Sequence, residues 1–324
     1  MKDKILNILR EQDSMSVSQM AEFLNISRQM VHRILLDLQE QALVEKLGKP
    51  PKTFYRLAEV KTKEIKEVSI TTSELGFLRA HFLNVTASGQ RQEGIDAFET
   101  WCEKQKLQFK KTLDEFILTR KKYLVYKDDD GLISGLQKIK NTQGFSQIGL
   151  DELFYEDFYA IERFGKTRLG QLIHFAKQGQ NKKMMKEIVV DIRPSILQLI
   201  KREHIKAVGF IPPTIKREVQ IMKVLEKDLN LVLPGVKIIK IKGDIVIPQK
   251  ALNKLEDRIE NARSSIFIEE IRHYNTILLI DDAVGSGATL NETAIKLKSQ
   301  GLAQRVIGYA VTGSFKGFDV ITEV

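Results

Sequence analysis

Residues 276–290 read Thr-Ile-Leu-Leu-Ile-Asp-Asp-Ala-Val-Gly-Ser-Gly-Ala-Thr-Leu, and this segment narrows the possible folds more than any other in the chain. Ile277, Leu278, Leu279 and Ile280 form an unbroken apolar run of the length of a strand buried on both faces. Asp281 and Asp282 follow at the carboxyl edge of that strand, where open α/β sheets hold ligands. Gly285, Ser286, Gly287, Ala288 and Thr289 then make a small-residue loop that opens a helix. Glycine, having no Cβ, lets a backbone approach an anion closely. The loop amides and the helix N-terminus supply donors and a positive dipole, and Ser286 and Thr289 add hydroxyls. The aspartates are suited to ribose hydroxyls, directly or through a metal-bound water. No lysine follows the glycines, so this is not a Walker phosphate loop. The spacing, and carboxylates ahead of the loop, exclude a dinucleotide fingerprint.

The surrounding pattern agrees with a sheet. From about residue 153, helical periodicity over 168–178 and 183–203 precedes apolar runs at 207–211, 236–241, 276–280 and 306–311. Helical segments between strands predict a mostly parallel α/β sheet. The strand, acid pair and loop together resemble the motif with which type I phosphoribosyltransferases bind 5-phosphoribosyl 1-pyrophosphate (PRPP). Gly285 stands where that family usually has Thr.

Three further segments resemble late-competence ComF proteins. Tyr155 followed by Gly170-Gln171-Leu172-Ile173-His174-Phe175-Ala176-Lys177-Gln178-Gly179 is similar to the helix that opens their domain. Ile211-Pro212-Pro213-Thr214-Ile215-Lys216-Arg217 is similar to their loop after the first strand, and Pro248-Gln249-Lys250-Ala251-Leu252 with Arg258, Asn261 and Phe267 to their hood. The likeness spans about 153–311. It implies a phosphoribosyltransferase-like domain over 151–324, with Asp281, Asp282, Lys216 and Arg217 at the reacting end. It further implies phosphate held by Gly285, Ser286, Gly287, Ala288 and Thr289, and a hood carrying Gln249, Lys250, Arg258 and Asn261. Mg²⁺ would accompany PRPP near Asp281 and Asp282, as hard cations take oxygen ligands. Two departures stand out: the ComF cysteine-rich zinc module is absent, and the basic run after the first strand is shorter. Phe315 or Phe318 in the tail would either stack a base or close the sheet edge.

Residues 1–60 have the order helix, helix, turn, helix, hairpin and resemble a winged helix-turn-helix over 1–57. Ser27 is a suitable N-cap for a third helix over 28–41, whose Met30, Val31, Ile34, Leu35 and Leu38 are expected as its buried stripe. Such a fold presents that helix to a DNA major groove. Arg28, Gln29, His32 and Arg33 would reach base edges, and Lys49 and Lys52 on the wing would touch phosphates. The unit holds nine Lys+Arg against eight Asp+Glu, so protein docking is the rival reading.

Residues 61–150 are expected as a helical connector or a homodimerisation element built on one long amphipathic run over 93–122. Asp128, Asp129 and Asp130 end that run as a solvated loop or a cation site. The expected fold class is therefore a multi-domain α+β and α/β chain. A single cysteine, Cys102, excludes a disulfide framework and fits a cytoplasmic protein. No leader and no membrane span is apparent. The net charge of +9 suits phosphate or nucleic-acid partners.

Three functional readings follow. The first is a nucleic-acid-associated regulator or effector that binds PRPP or a related phosphoribosyl ligand. The second is an active phosphoribosyltransferase. The third rests on a likeness in architecture to accessory proteins encoded beside retron reverse transcriptases in antiphage defence, which would make a reverse transcriptase the partner.

Overall fold

Ser16 caps the helix that follows it with a reciprocal box, its side chain accepting from the Gln19 amide while the Gln19 side chain accepts from the Ser16 amide. Local signals of this kind set the N-terminal elements: α1 (Lys2–Glu11), α2 (Val17–Leu24), α3 (Arg28–Glu40) and the antiparallel hairpin β1 (Val44–Lys49) and β2 (Lys52–Leu57). Asn25 turns the chain between α2 and α3 in the left-handed region, and the Ser27 hydroxyl accepts from the Met30 amide at 3.2 Å. Ile5, Met20, Val31, Leu35 and Leu38 are fully buried in one core. Met30 departs from the expected stripe and is 47 % exposed, because it lies beyond half-buried Ile34 on the helix circumference.

The computed structural model describes residues 1–12, 14–40, 43–49, 52–58, 70–86, 89–215, 217–241 and 254–315. It divides into two units, Met1–Ser69 and Ile70–Val324. The second begins with α4 (Thr72–His81), β3 (Leu83–Val85), β4 (Arg91–Glu93), α5 (Gly94–Lys104), α6 (Phe109–Leu124), β5 (Ile133–Ser134) and α7 (Leu136–Asn141). It continues through β6 (Glu152–Phe158), β7 (Ala160–Ile161), β8 (Gly165–Lys166), α8 (Arg168–Gln178), α9 (Lys182–Arg202), β9 (Ala207–Phe210), α10 (Ile221–Leu229) and β10 (Gly235–Val236). It ends with β11 (Ile238–Lys240), α11 (Leu255–Ser265), β12 (Ile266–Ile268), β13 (Tyr274–Val284), α12 (Ala288–Ser299) and β14 (Ala303–Gly313).

A six-stranded sheet in the order β10-β9-β13-β14-β6-β5 carries this unit, parallel throughout except for β5 on β6. Its two faces bury separate cores, the three-layer arrangement of an α/β domain. On one face Val208, Leu278, Ile280, Ile307 and Tyr309 pack against α8, α9 and α10. On the other, Ala207, Ile277, Leu279, Val306 and Ala310 join α12 and residues of α4 to α7. Residues 70–150 share a core with the sheet, and their β5 is its edge strand. The amphipathic run over 93–122 is two helices, α5 and α6, because Lys106 takes φ 56° between them. The apolar run over 236–241 is likewise split, β10 joining the sheet and β11 pairing with β12 in a separate ribbon.

Strand β6 has no clear sequence signal, since Glu156 and Asp157 interrupt its apolar residues. Both acids are paired from far along the chain. The Glu156 carboxylate accepts from the hydroxyls of Ser195 and Tyr309, and Asp157 takes both guanidinium prongs of Arg120 at 2.9 and 2.6 Å. The acid loop after α6 is tied in the same way. Asp128 caps the amides of Asp130 and Leu132, and Arg202 bridges both Asp128 and Asp130, so the loop is a staple to α9 and not an open cation site.

Candidate functional site

The chain leaves β9 through α10 toward β10, and leaves β13 through α12 toward β14, on the other side. The strand order therefore reverses between β9 and β13, the position at which open α/β sheets form ligand crevices. Two prolines open it. Ile211 donates to the Ile280 carbonyl at 2.9 Å, and then Pro212 and Pro213, having no amide hydrogen, cannot continue that ladder. Strand β13 runs on to Val284 paired with β14 alone, through Asp281 opposite Ala310. A cavity of about 370 Å³ fills the gap, with residues 281–290 on one side and residues 211–215, Arg217 and Gln220–Met222 on the other.

The loop after β13 is shaped by contacts behind it. Gly287 has φ 84°, and a Cβ there would meet Ile139 Cδ1 of α7 at 2.6 Å. Gly285 is exposed, with nothing within 4 Å of a Cβ, so only the second glycine is sterically required. Among the described residues the amides of Ser286, Gly287, Thr289 and Leu290 have no acceptor, and that of Ala288 has only a long 3.4 Å contact to Ser286 Oγ. Such orphan donors at a helix start are the groups that hold anions.

The acid pair is electrostatically unequal. Burial, reinforced by the Asp282 carboxylate, pushes Asp281 up to about 7, although Lys177, Lys240 and the Asp282 amide on its Oδ1 pull the other way. Asp282 forms a salt bridge with Lys177 Nζ at 2.6 Å. Lys177 lies on α8, which is fixed to the end of β6 by Thr167: its hydroxyl donates to the Phe158 carbonyl at 2.7 Å and accepts the Gly170 amide. Lys240, at the end of β11, donates to Thr214 Oγ1 at 2.8 Å, and burial lowers its pKa. His174, one turn before Lys177, lies 3.3 Å from the Tyr159 hydroxyl, and both line the cavity.

Of the residues expected here from sequence, the structure brings Asp281, Asp282, Arg217, Arg258 and residues 285–289 to one cavity. Asn261 lies on α11 with Arg258 but does not line it. Lys216, Gln249 and Lys250 lie outside the described residues, as does Phe318. Phe315 packs edge-on against Tyr123, Tyr126 and Phe158 and closes the core, so the base-stacking alternative loses it. Lys177, Lys240 and Lys138 were not foreseen. Only Lys177 carried a signal, as part of the segment that resembles the opening ComF helix. Among the described residues no group of three or more His, Cys, Asp or Glu side chains could hold a metal, so any cation here would draw on the two aspartates and on its ligand.

In the N-terminal unit Arg28, Gln29, His32 and Arg33 are all exposed on the first turns of α3, at spacings that share one face. Lys49 and Lys52 face each other across the end of the hairpin, and of these two only the backbone is described. No helix among the described residues is long and apolar enough to cross a membrane.

Residues 4–54 match the family model of the winged helix-turn-helix DNA-binding domain. The class defined is thus a winged helix-turn-helix joined in one chain to an α/β unit with a mostly parallel sheet. Among solved structures the chain is similar to a hypoxanthine phosphoribosyltransferase from Staphylococcus aureus, at 13% identity over 43% of this chain and 70% of that one. The TM-score is 0.26, too low to carry an argument. No curated protein matches the chain.

Proposed function

We propose that the C-terminal unit binds a ribose 5-phosphate group, in PRPP or a related compound, and that the N-terminal unit binds nucleic acid, the whole acting as a ligand-responsive regulator or effector. One observation carries the reading. An adjacent acid pair and a run of amides, four of them without an acceptor among the described residues, line a single cavity at the point where the strand order reverses. The amides of Ser286 to Leu290 would take the 5-phosphate, and Asp281 and Asp282 the ribose hydroxyls. Arg217, Lys177, Lys240 and Arg258 give the same cavity the cationic side chains that a pyrophosphate needs. Magnesium, when bound with PRPP, would offset phosphate charge, with the oxygens of Asp281 and Asp282 as the chain's own ligands. Regulation requires ligand affinity to differ between two states of the protein.

Calorimetric titration of the full chain with PRPP and Mg²⁺ tests the site. Wild type is expected to bind, and the Asp281→Asn, Asp282→Asn double variant to lose that binding while staying folded. Equal affinity in the two proteins would reject the assignment. A gel-shift with and without PRPP then tests the coupling.

A second reading is favoured by the same cationic side chains, which suit stabilisation of a departing pyrophosphate. It makes the unit an active phosphoribosyltransferase. Release of pyrophosphate on adding nucleobases to PRPP, Mg²⁺ and protein distinguishes it from the first.

A further inference from the structure

Lys138 is 5 % exposed, yet among the described residues no carboxylate pairs with it. Its ammonium donates instead to two backbone carbonyls, Gly285 O at 2.7 Å and Ser314 O at 2.9 Å. It does not line the cavity, whereas Gly285 and Ser286 do, so it reaches the loop from the far side. In a trans peptide the carbonyl of one residue and the amide hydrogen of the next point in opposite directions. A Gly285 carbonyl held from behind therefore turns the Ser286 N–H toward the cavity, where it has no acceptor among the described residues.

We propose that Lys138 is the positioning residue of the anion-binding loop, orienting the Gly285–Ser286 peptide and setting beneath the bound phosphate a positive charge that no carboxylate among the described residues pairs with. This rests on the reading of that loop as a phosphate site. Ile139, the next residue, packs where a Cβ on Gly287 would lie, so α7 meets the loop at both Gly285 and Gly287. The Ser314 amide donates to the Val284 carbonyl at 2.9 Å, so Lys138 also joins the ends of β13 and β14. Burial lowers its pKa to about 8, which makes the underlying charge one that alkaline pH removes. A lysine that only filled space would need neither carbonyl, and a buried ammonium without a counter-ion is costly unless an anion nearby offsets it.

The test is titration of the full chain with ribose 5-phosphate between pH 6.5 and 9.5, for wild type and Lys138→Met. Lys138→Met is expected to weaken binding about 10- to 100-fold, the loss of one charge-assisted contact and an oriented amide. Wild-type affinity should also fall above pH about 8, a limb that Lys138→Met lacks. A space-filling role would leave that limb in place. Should Lys138→Met not fold, Lys138→Gln, which keeps a donor but no charge, is expected to weaken binding and lose the limb. Unchanged affinity and pH profile in the folded lysine variant overturn the proposal while leaving the site intact. Failure of wild type to bind overturns the proposal together with the reading beneath it.

Discussion

Lys177 Nζ lies 2.6 Å from Asp282 Oδ2, so one carboxylate of the cavity's acid pair has a cation bound to it and, among the described residues, its neighbour Asp281 does not. The bridge joins α8 to β13 across the crevice. On the proposed reading, a ribose diol entering between them would share Asp282 with Lys177.

That asymmetry predicts a pH dependence with a definite sign. Asp281 rises from 3.8 to about 7, so its contribution to stability is complete below about 3.8 and is lost as pH rises to about 7. Asp281→Asn, which keeps an acceptor for the Asp282 amide, should gain stability relative to wild type across that interval. Urea melts at pH 4, 6 and 8 read the difference, and a difference constant with pH would refute it. PRPP binding in the presence of Mg²⁺ should improve from pH 5 to 7 and release protons, seen as a buffer-dependent heat that is smaller in the Asn variant.

The two loop glycines should differ in their tolerance of a side chain. Gly287→Ala forces a left-handed alanine and drives its Cβ into Ile139 at 2.6 Å, which should cost about 2–4 kcal/mol in a melt. Gly285→Thr meets open space and should leave stability and ligand affinity nearly unchanged. A collapse of the Thr variant would mean the loop is packed more tightly than described.

Arg120 and Asp157 are both nearly buried, at 3 % and 7 % exposed, and make a two-pronged pair between α6 and β6. Arg120→Met leaves the carboxylate without its partner and should destabilise the unit by about 3–5 kcal/mol. The Asp157→Asn, Arg120→Met double variant should recover part of the loss, and a double-mutant cycle showing no coupling would contradict the pairing.

On α3, Arg28→Ala with Arg33→Ala removes two exposed cations from one face. Binding to duplex DNA should weaken at least tenfold and lose part of its salt dependence, without a change in melting temperature. A gel-shift identical to wild type would make the unit a protein adaptor.

The fold and the site are unevenly legible in the sequence. Asp281, Asp282 and the loop to Thr289 lie within one strand–loop–helix, and each announces itself through its immediate neighbours. Strand β6 did not, because Glu156 and Asp157 look like surface residues until Tyr309, Ser195 and Arg120 are folded onto them. Met30 was misplaced for the opposite reason: an apolar side chain at the margin of a helical stripe need not be buried.

The sequence alone determined the order of three helices and a hairpin at the start of the chain, the alternation that makes the sheet, and the acid pair ahead of a glycine loop. Each is a property of residues a few positions apart, governed by backbone geometry and by the period of the apolar pattern. Only the tertiary structure decided that two prolines part β9 from β13, that Lys177 claims Asp282, and that Lys138 holds a carbonyl 147 positions away. Those relationships depend on which surfaces pack together, and the burial that gives a lone lysine or aspartate its energy has no local signature in the chain.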